Sequence, residues 1–294
     1  MVTVSDLPII VGVDGSEPSL WAVDWAADEA ALRGVPLRLV YARLWERYEG
    51  TSLAQDLTRQ NGEVTAEDVI ETAAQRARLR APDVKISTAV LPEEPEYSLV
   101  HESRSAAAVV LGSRGRSSMA EALLGSVSVT VAGHAHCPVI VLRGSHDNQA
   151  RAGRRGRIAV GVGEKPAHSA AVRFALDEAR LRHVPLDAVR AWRTPAHENT
   201  DHPLMAGEPA RLHEEQAAEE LEEALREAPD DVEVRRRSVE GPARRALLDA
   251  SAGADLLVVG AQRRSGHFGL QLGRVAHGVL HHAACPVAVV PEEA

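Results

Sequence analysis

Aromatic residues make up only 3% of this 294-residue chain. Its core must therefore be assembled from small aliphatic side chains, not from packed rings. Cysteine is almost missing as well. The two present, Cys137 and Cys285, each stand directly before Pro-Val at the entrance of an apolar run. Neither has a second thiol close by in sequence, so both read as small buried side chains in two equivalent places. No run of 18 apolar residues occurs, which excludes a helical membrane span. The opening Met1–Asp6 has neither the charged nor the apolar region of a secretory signal. The expected compartment is the cytoplasm, which also suits the sparse cysteine. Basic residues are outnumbered, 33 Lys and Arg against 42 Asp and Glu, for a net charge of −9. That balance argues against broad nucleic-acid binding and against an anionic membrane surface. Several motifs are missing too. There is no Gly-x4-Gly-Lys-Ser/Thr phosphate loop, and none of the His-x-Gly-His or Ser-Gly-Gly-x-Asp-Ser signatures of adenylate-transferring enzymes. Gly161-Val-Gly163 begins like a dinucleotide fingerprint but has Pro166 at its last position.

What the chain does contain is itself, twice. Ile9-Ile-Val-Gly-Val13 returns as Ile158-Ala-Val-Gly-Val162, 149 residues on. Ala22-Val-Asp-Trp-Ala-Ala-Asp-Glu-Ala30 returns at the same offset as Ala171-Val-Arg-Phe-Ala-Leu-Asp-Glu-Ala179, and Leu32-Arg-Gly-Val-Pro-Leu37 as Leu181-Arg-His-Val-Pro-Leu186. Ala135-His-Cys-Pro-Val139 returns as Ala283-Ala-Cys-Pro-Val287, with the offset slipped to 148. One offset held through both halves marks the duplication of a whole domain. The polar, glycine-rich, basic segment 144–156 reads as the linker, which places the domains at 1–143 and 157–294.

Each half alternates strand and helix. Ile9–Val13 is continuously apolar, as a strand covered on both faces must be. Pro18 suits the first turn of a helix that runs to Arg33 and is stopped by Gly34. Further strands are expected at Leu37–Ala42, Val84–Val90, around Val109–Leu111 and at Val139–Leu142. Helices are expected at Glu63–Leu79, Glu96–Arg104 and Val127–Ala135, and residues 43–62 read as a loop. The second half repeats the series, with strands near Ile158–Val162, Leu186–Ala191, Val232–Ser238, Leu256–Val259 and Val287–Val290. Such alternation implies an α/β fold, with a parallel sheet sandwiched by helices through right-handed crossovers. Ligands in these sheets lie beyond the carboxyl ends of the strands where the strand order reverses.

The loop after the fourth strand is the chemically pointed part. It reads Gly112-Ser-Arg-Gly115, nine residues, then Gly125-Ser126. An apolar strand precedes it and a helix follows. Glycines let backbone N–H groups approach a phosphate closely, and a helix start adds unpaired N–H groups and a favourable dipole.

With Asp14-Gly-Ser16 after the first strand and the paired Cys-Pro-Val entrances, the whole chain resembles the universal stress protein family in its tandem form. The glycine spacing resembles the ATP-binding signature of one branch. The resemblance implies two five-stranded domains of strand order 3-2-1-4-5. It also implies ATP or another adenine nucleotide across strands one and four, with Mg²⁺ or Mn²⁺ at the phosphates. It assigns Asp14 to the adenine or ribose and Gly15 to an unobstructed turn. Val40 is assigned to the adenine pocket, its backbone pairing the base edge. Gly112 and Gly115 are assigned to ribose and phosphate, and Gly125, Ser126 and Val127 to the β and γ phosphates. Ser128 is a further hydroxyl candidate, and Arg114 and Arg116 flank the loop.

The second half keeps the spacing but not the residues. Gly163 stands for Asp14, Arg263 for the second glycine and Arg274 for the serine, between the retained Gly260 and Gly273. The carboxylate is gone and two guanidinium groups enter the cradle, either as phosphate partners or as fillers. His277, His281 and His282 read as solvated helix residues, as do His134 and His136. Glu214–Glu223 reads as a charged helix face, and Arg235–Arg237 as part of a half-exposed strand.

The leading expectation is an adenine-nucleotide-binding regulator with one intact site, serving stress response or energy sensing, without a catalytic residue. Two alternatives stand beside it. One is a slow Mg²⁺-dependent ATPase. The other is a homodimer or partner-recruiting module acting through the edges at Val139–Leu142 and Val287–Val290.

Overall fold

A computed structural model describes residues 7–42, 65–113, 124–142, 155–163, 168–194, 208–262 and 272–292. The chain divides into two compact units, one holding the described residues up to 142 and the other those from 155 onward.

The first unit opens with β1 (Ile9–Gly12), every residue of which is buried. Helix α1 (Glu17–Arg33) follows, capped by the Ser16 side chain, which accepts from the Ser19 N–H. It ends at Gly34, whose φ of 67° is the left-handed stop that glycine adopts without strain. β2 (Leu37–Ala42) is buried along almost its whole length. α2 (Ala66–Arg80) begins in a reciprocal capping box between Thr65 and Asp68. The two bonds from Thr65, backbone first, hold the Asp68 carboxyl below its ordinary range. Then come β3 (Ile86–Leu91), α3 (Pro95–Glu102), β4 (Ala108–Leu111), α4 (Ser126–His134) and β5 (Val139–Val141). All the strand pairings are parallel, and they give the order β3-β2-β1-β4-β5. α1 packs on α2 and α3 on α4. Right-handed crossovers in this strand order put the two pairs on opposite faces.

The second unit repeats the plan. β6 (Ile158–Gly161), α5 (Ala170–Arg182), β7 (Leu186–Trp192), α6 (Glu208–Ala224), β8 (Val234–Glu240), α7 (Ala243–Ser251), β9 (Leu256–Gln262), α8 (Arg274–His282) and β10 (Val287–Glu292) follow in order. Its parallel pairings give β8-β7-β6-β9-β10. The largest fully buried hydrophobic side chains in both units are aliphatic, among them Ile9, Leu37, Leu39, Ile140, Ile158, Leu186 and Leu257. The shortage of aromatic residues had required this.

Several boundaries differ from the sequence expectation for physical reasons. β3 begins at Ile86, not Val84, because the Val84 N–H closes a turn onto the Ala81 carbonyl. The equivalent turn, Val232 N–H to Pro229 carbonyl, delays β8 to Val234. α3 stops at Glu102, and Ser103–Ser105 tightens into a 3₁₀ turn. There the buried Ser103 hydroxyl donates to the Val100 carbonyl at 2.6 Å and accepts the His136 N–H at 2.9 Å. Ser251 repeats this, donating to the Leu248 carbonyl at 2.7 Å and accepting the Ala284 N–H at 3.0 Å. Each hydroxyl therefore anchors the approach to a Cys-Pro-Val strand. Arg155 and Gly156, in the segment read as linker, donate their backbone N–H groups to the Asp255 carboxylate at 2.7 and 2.8 Å. The expected loop at 43–62 lies outside the described residues.

The charged stretches fall on solvated faces. Arg235, Arg236 and Arg237 are exposed on β8, with Arg235 paired to Glu233 and Arg236 to Glu222. The acidic run lies on α6, which buries Ala217 and Leu221 and pairs Glu220 with Arg190.

Candidate functional site

The carboxyl ends of β1 and β4 lie side by side, since Val11 pairs with Val110. Strand order reverses between them, so the loops that follow them flank a crevice.

On the β1 side, Asp14 is 3% exposed. Its Oδ1 accepts from the Ser16 N–H at 2.9 Å and from the Ser16 hydroxyl at 2.6 Å. This Asx turn rotates the chain from strand into helix, and Gly15, at φ 81°, supplies the left-handed residue within it. Asp14 is thus held by the start of α1 and is not loose in the loop. Val40 is 1% exposed, and its carbonyl accepts the Val13 N–H at 2.9 Å. The backbone expected to pair a base edge is therefore already engaged with the neighbouring strand.

On the β4 side, Gly112 fits where no larger residue would. A Cβ there would lie 2.8 Å from the backbone carbon and oxygen of Pro18, in the first turn of α1. The Gly112 carbonyl accepts the hydroxyl of Ser128 at 2.8 Å. The Gly125 N–H donates to the Ser113 carbonyl at 2.9 Å. Those two bonds tie the departing end of the loop to its return. Gly125 is then the N-cap of α4, extended at φ −65° and ψ 147°, with no side-chain cap hydrogen bond. The first-turn N–H groups of α4, which begins at Ser126, thus receive no side-chain acceptor from Gly125. Ser126 is exposed, Val127 half-buried and Ser128 buried.

The structure brings Asp14, Gly15, Gly112, Gly125, Ser126, Val127 and Ser128 to the carboxyl end of one sheet, with Val40 in the strand beside β1. Ser128, expected as a direct hydroxyl ligand, commits its proton to Gly112. Nothing in the sequence separates it from the exposed Ser126 except its place on the inner side of the helix. Arg114, Gly115 and Arg116 lie outside the described residues.

The second unit keeps the helix entrance and changes the rest. Gly273 caps α8 at φ −61° and ψ 156°, again without a side-chain bond, and Arg274 is exposed as the first helical residue. Ala276 occupies the Ser128 position, so the tie across the loop has no counterpart. Gly163 is exposed, with nothing within 4 Å of an added Cβ. Arg263 lies outside the described residues. By the repeat offset α5 would start near Pro166, but it begins a turn later, at Ala170. Glu292, at the end of β10, meets the start of α5. Its Oε1 accepts from the Ser169 hydroxyl at 2.6 Å and the Ala171 N–H at 3.1 Å, and its Oε2 from the Ala170 N–H at 2.8 Å. The same Oε1 lies 2.8 Å from where a Cβ on Gly260 would stand. Sequence reasoning missed Glu292, because no local pattern marks a residue that acts across a sheet.

Elsewhere, the rings of His277 and His281 face each other on α8 with centroids 4.5 Å apart. Among the described residues, no group of three His, Cys, Asp or Glu side chains is arranged to hold a metal ion. No described helix is long and apolar enough to cross a membrane. Cys137 and Cys285 are both buried thiols, and burial pushes the Cys285 thiol up to about 12.

The universal stress protein family profile matches the chain twice, over residues 7–143 and 154–291. A universal stress protein of Mycobacterium tuberculosis is 31% identical over 293 residues, spanning 98% of this chain and 97% of its own. Among solved structures, a universal stress protein from Archaeoglobus fulgidus covers 97% of this chain and 98% of its own. Its TM-score is 0.66 at 18% identity, a likeness of fold. A universal stress protein from the same organism in complex with dAMP covers 47% of this chain and 98% of its own, with TM-score 0.35 and 27% identity. Two family matches in tandem and full-length relatives agree with the duplicated architecture, and the chain belongs to the universal stress protein family.

Proposed function

We propose that the first unit binds an adenine nucleotide, ATP foremost, in the crevice between the β1 and β4 loops, and that binding itself is the function. The observation that carries this reading is the entrance to α4. Among the described residues its first-turn N–H groups receive no side-chain cap, and they stand behind a glycine beside a loop pinned by Ser128 and Gly112. Such an end is an anion-binding element with its donors already oriented. Asp14, buried and fixed by Ser16, places a carboxylate on the opposite side of the crevice, where a sugar hydroxyl or base amine is the matching partner. Gly112, Gly125 and Ser126 add no bulk between them.

The residues fit a nucleotide with its cation carried on the phosphates. Mg²⁺ ordinarily binds through one or two carboxylates together with substrate phosphates, not in a cage built wholly from protein. Bound to one conformation in preference to another, the nucleotide shifts the population toward it and so reports its own concentration to a partner. In a stress-response protein this amounts to sensing of energy state in the cytoplasm.

Calorimetric titration of ATP with Mg²⁺ into the wild-type chain and into Gly125→Trp tests the reading. The wild type is expected to bind and the variant, whose indole fills the α4 entrance, to lose binding. Equal binding by both, or none by the wild type, overturns the assignment.

A further inference from the structure

The helices that follow the glycine loops differ in their histidines. In α4 the chain offers one imidazole, His134, whose Nδ1 engages the Thr130 carbonyl at 2.8 Å. In α8 it offers His277, His281 and His282. At the 148-residue offset, His277 and His281 stand where the first unit has Val129 and Gly133. Four residues apart on a helix, the pair shares one side and lies a turn apart. His277 is exposed and His281 half-buried. Their rings approach to 4.5 Å between centroids and are inclined by 39°. His282 is exposed, its ring 6.2 Å from that of His281. The shorter separation is one that coordination to a single ion requires. An imidazole nitrogen binds Zn²⁺ at about 2.0–2.1 Å, which puts the ion about 3.2 Å from the ring centroid. Two such rings, at the angles of a square or tetrahedral site, have centroids about 4.5–5.2 Å apart. The observed 4.5 Å falls at the square end of that range.

We propose that His277 and His281 form a two-imidazole site for a divalent transition metal, Cu²⁺ foremost. One nitrogen of each ring binds the ion. Water fills the other positions, since no third His, Cys, Asp or Glu among the described residues is arranged to join them. Imidazole suits copper, nickel and zinc, square geometry is typical of Cu²⁺ and Ni²⁺, and the order of divalent affinities peaks at Cu²⁺. With two protein ligands the site is open and its ion exchanges, unlike the closed four-ligand sites that hold structural zinc. His281 stands in the last turn of α8, where the helix dipole favours a cation. One group opposes it. Arg244 of α7 packs on Gly278, its Cδ and Nε 2.8 and 3.0 Å from where a Cβ there would stand. Arg244 is exposed, so solvent and salt screen its repulsion. Against that stands chelation. Once one imidazole holds the ion, the helix presents the second at a high effective concentration. The proposal is independent of the nucleotide reading of the first unit.

The chain has 13 histidines, so the test must resolve the site. Amide NMR of the full chain does so, because paramagnetic Cu²⁺ broadens the signals of residues around it. Copper chloride is added below one equivalent. The first amides to broaden are expected to be those of residues 277–282 in α8, while residues 129–134 in α4 stay sharp. His277→Ala and His281→Ala are each expected to weaken binding at α8 at least about tenfold, by removing one arm of the chelate. His282→Ala, exposed and off the pair, is expected to leave it unchanged. Electron paramagnetic resonance of the bound ion is expected to show two nitrogen donors in the wild type and one fewer in either single variant. Broadening that begins elsewhere overturns the proposal. So do single variants that bind as the wild type does, or a loss as large in His282→Ala, because the two rings then meet only as packing neighbours. Where His281→Ala disturbs α8 itself, the exposed His277→Ala decides alone.

Discussion

Alanine at Gly112 is the perturbation that most directly tests the architecture of the crevice. Its Cβ would stand 2.8 Å from the Pro18 carbonyl carbon and oxygen, atoms of a helix backbone that no rotamer change can move. Overpacking of this kind costs about 1–3 kcal/mol. The strain falls on the first turn of α1, where Ser16 and Asp14 are bonded to each other. Gly163→Ala is the matched control, since nothing lies within 4 Å of a Cβ there. It has no positive φ, so the change is expected to be neutral or stabilising by about 0.5 kcal/mol through the unfolded chain. Gly260→Ala falls between them, because its obstacle is the carboxylate of Glu292, which can swing aside at the cost of its bonds to α5. Two domains in one chain make a single melting temperature ill defined. Native-state hydrogen exchange, read peptide by peptide, avoids that difficulty. Gly112→Ala is expected to speed exchange in α1 and β4 by about 5- to 150-fold, taking tenfold for each 1.4 kcal/mol. Exchange in the second unit is expected not to change. The reasoning fails if Gly112→Ala and Gly163→Ala behave alike, or if the Gly112→Ala effect is absent from α1.

Two further expectations concern the lower end of each sheet. Ser103→Ala and Ser251→Ala each remove a buried hydroxyl that accepts one N–H and donates to one carbonyl. Each is expected to cost about 1–3 kcal/mol in its own unit, measured by exchange in β5 or β10, with no effect on the other unit. Cys285 is held as a neutral thiol chiefly by desolvation, its pKa raised from 9.0 to about 12. Raised folded pKa means that the stabilisation is complete below pH 9 and is lost as pH climbs toward 12. The full loss is up to about 4 kcal/mol at 1.36 kcal/mol per unit. Urea unfolding of the second unit between pH 8 and 11 is therefore expected to fall more steeply in the wild type than in Cys285→Ala. Parallel curves would refute that assignment.

Much of the fold was legible because the duplication printed each signal twice. Ile9–Val13 and Ile158–Val162 are apolar without alternation, which only a strand covered on both faces explains. Gly34 announced its left-handed stop, and His183 takes the same conformation at the equivalent place, φ 53°, closing α5 as Gly34 closes α1. Boundaries were misjudged where a turn borrowed residues from a strand, at Val84 and Val232. The candidate site was legible only in its backbone part. Glycine spacing forecasts where a chain must come close to something, but not which hydroxyl is spent internally. Ser126 and Ser128 look alike in sequence, and only the fold reveals that Ser128 is bonded to Gly112.

The divergence of the second unit follows from the same logic of helix ends. A duplicated domain that has Gly163 at the Asp14 position and starts its first helix only at Ala170 still has backbone N–H groups to satisfy at that start. Unpaired donors of that sort are costly once buried, so an acceptor must come from somewhere. A phosphate ligand is one supplier and a side chain is another. Extending β10 to Glu292 provides the second, since the register sets Val290 beside Gly260 and carries the carboxylate two residues further. Retaining Gly260 is then a packing requirement as much as a relic of nucleotide binding, because any Cβ there would meet the Glu292 side chain. Loss of Glu292 by substitution should therefore relax the demand for glycine at 260, whereas the demand at 112, set by the backbone of Pro18, stays fixed whether or not a nucleotide is bound.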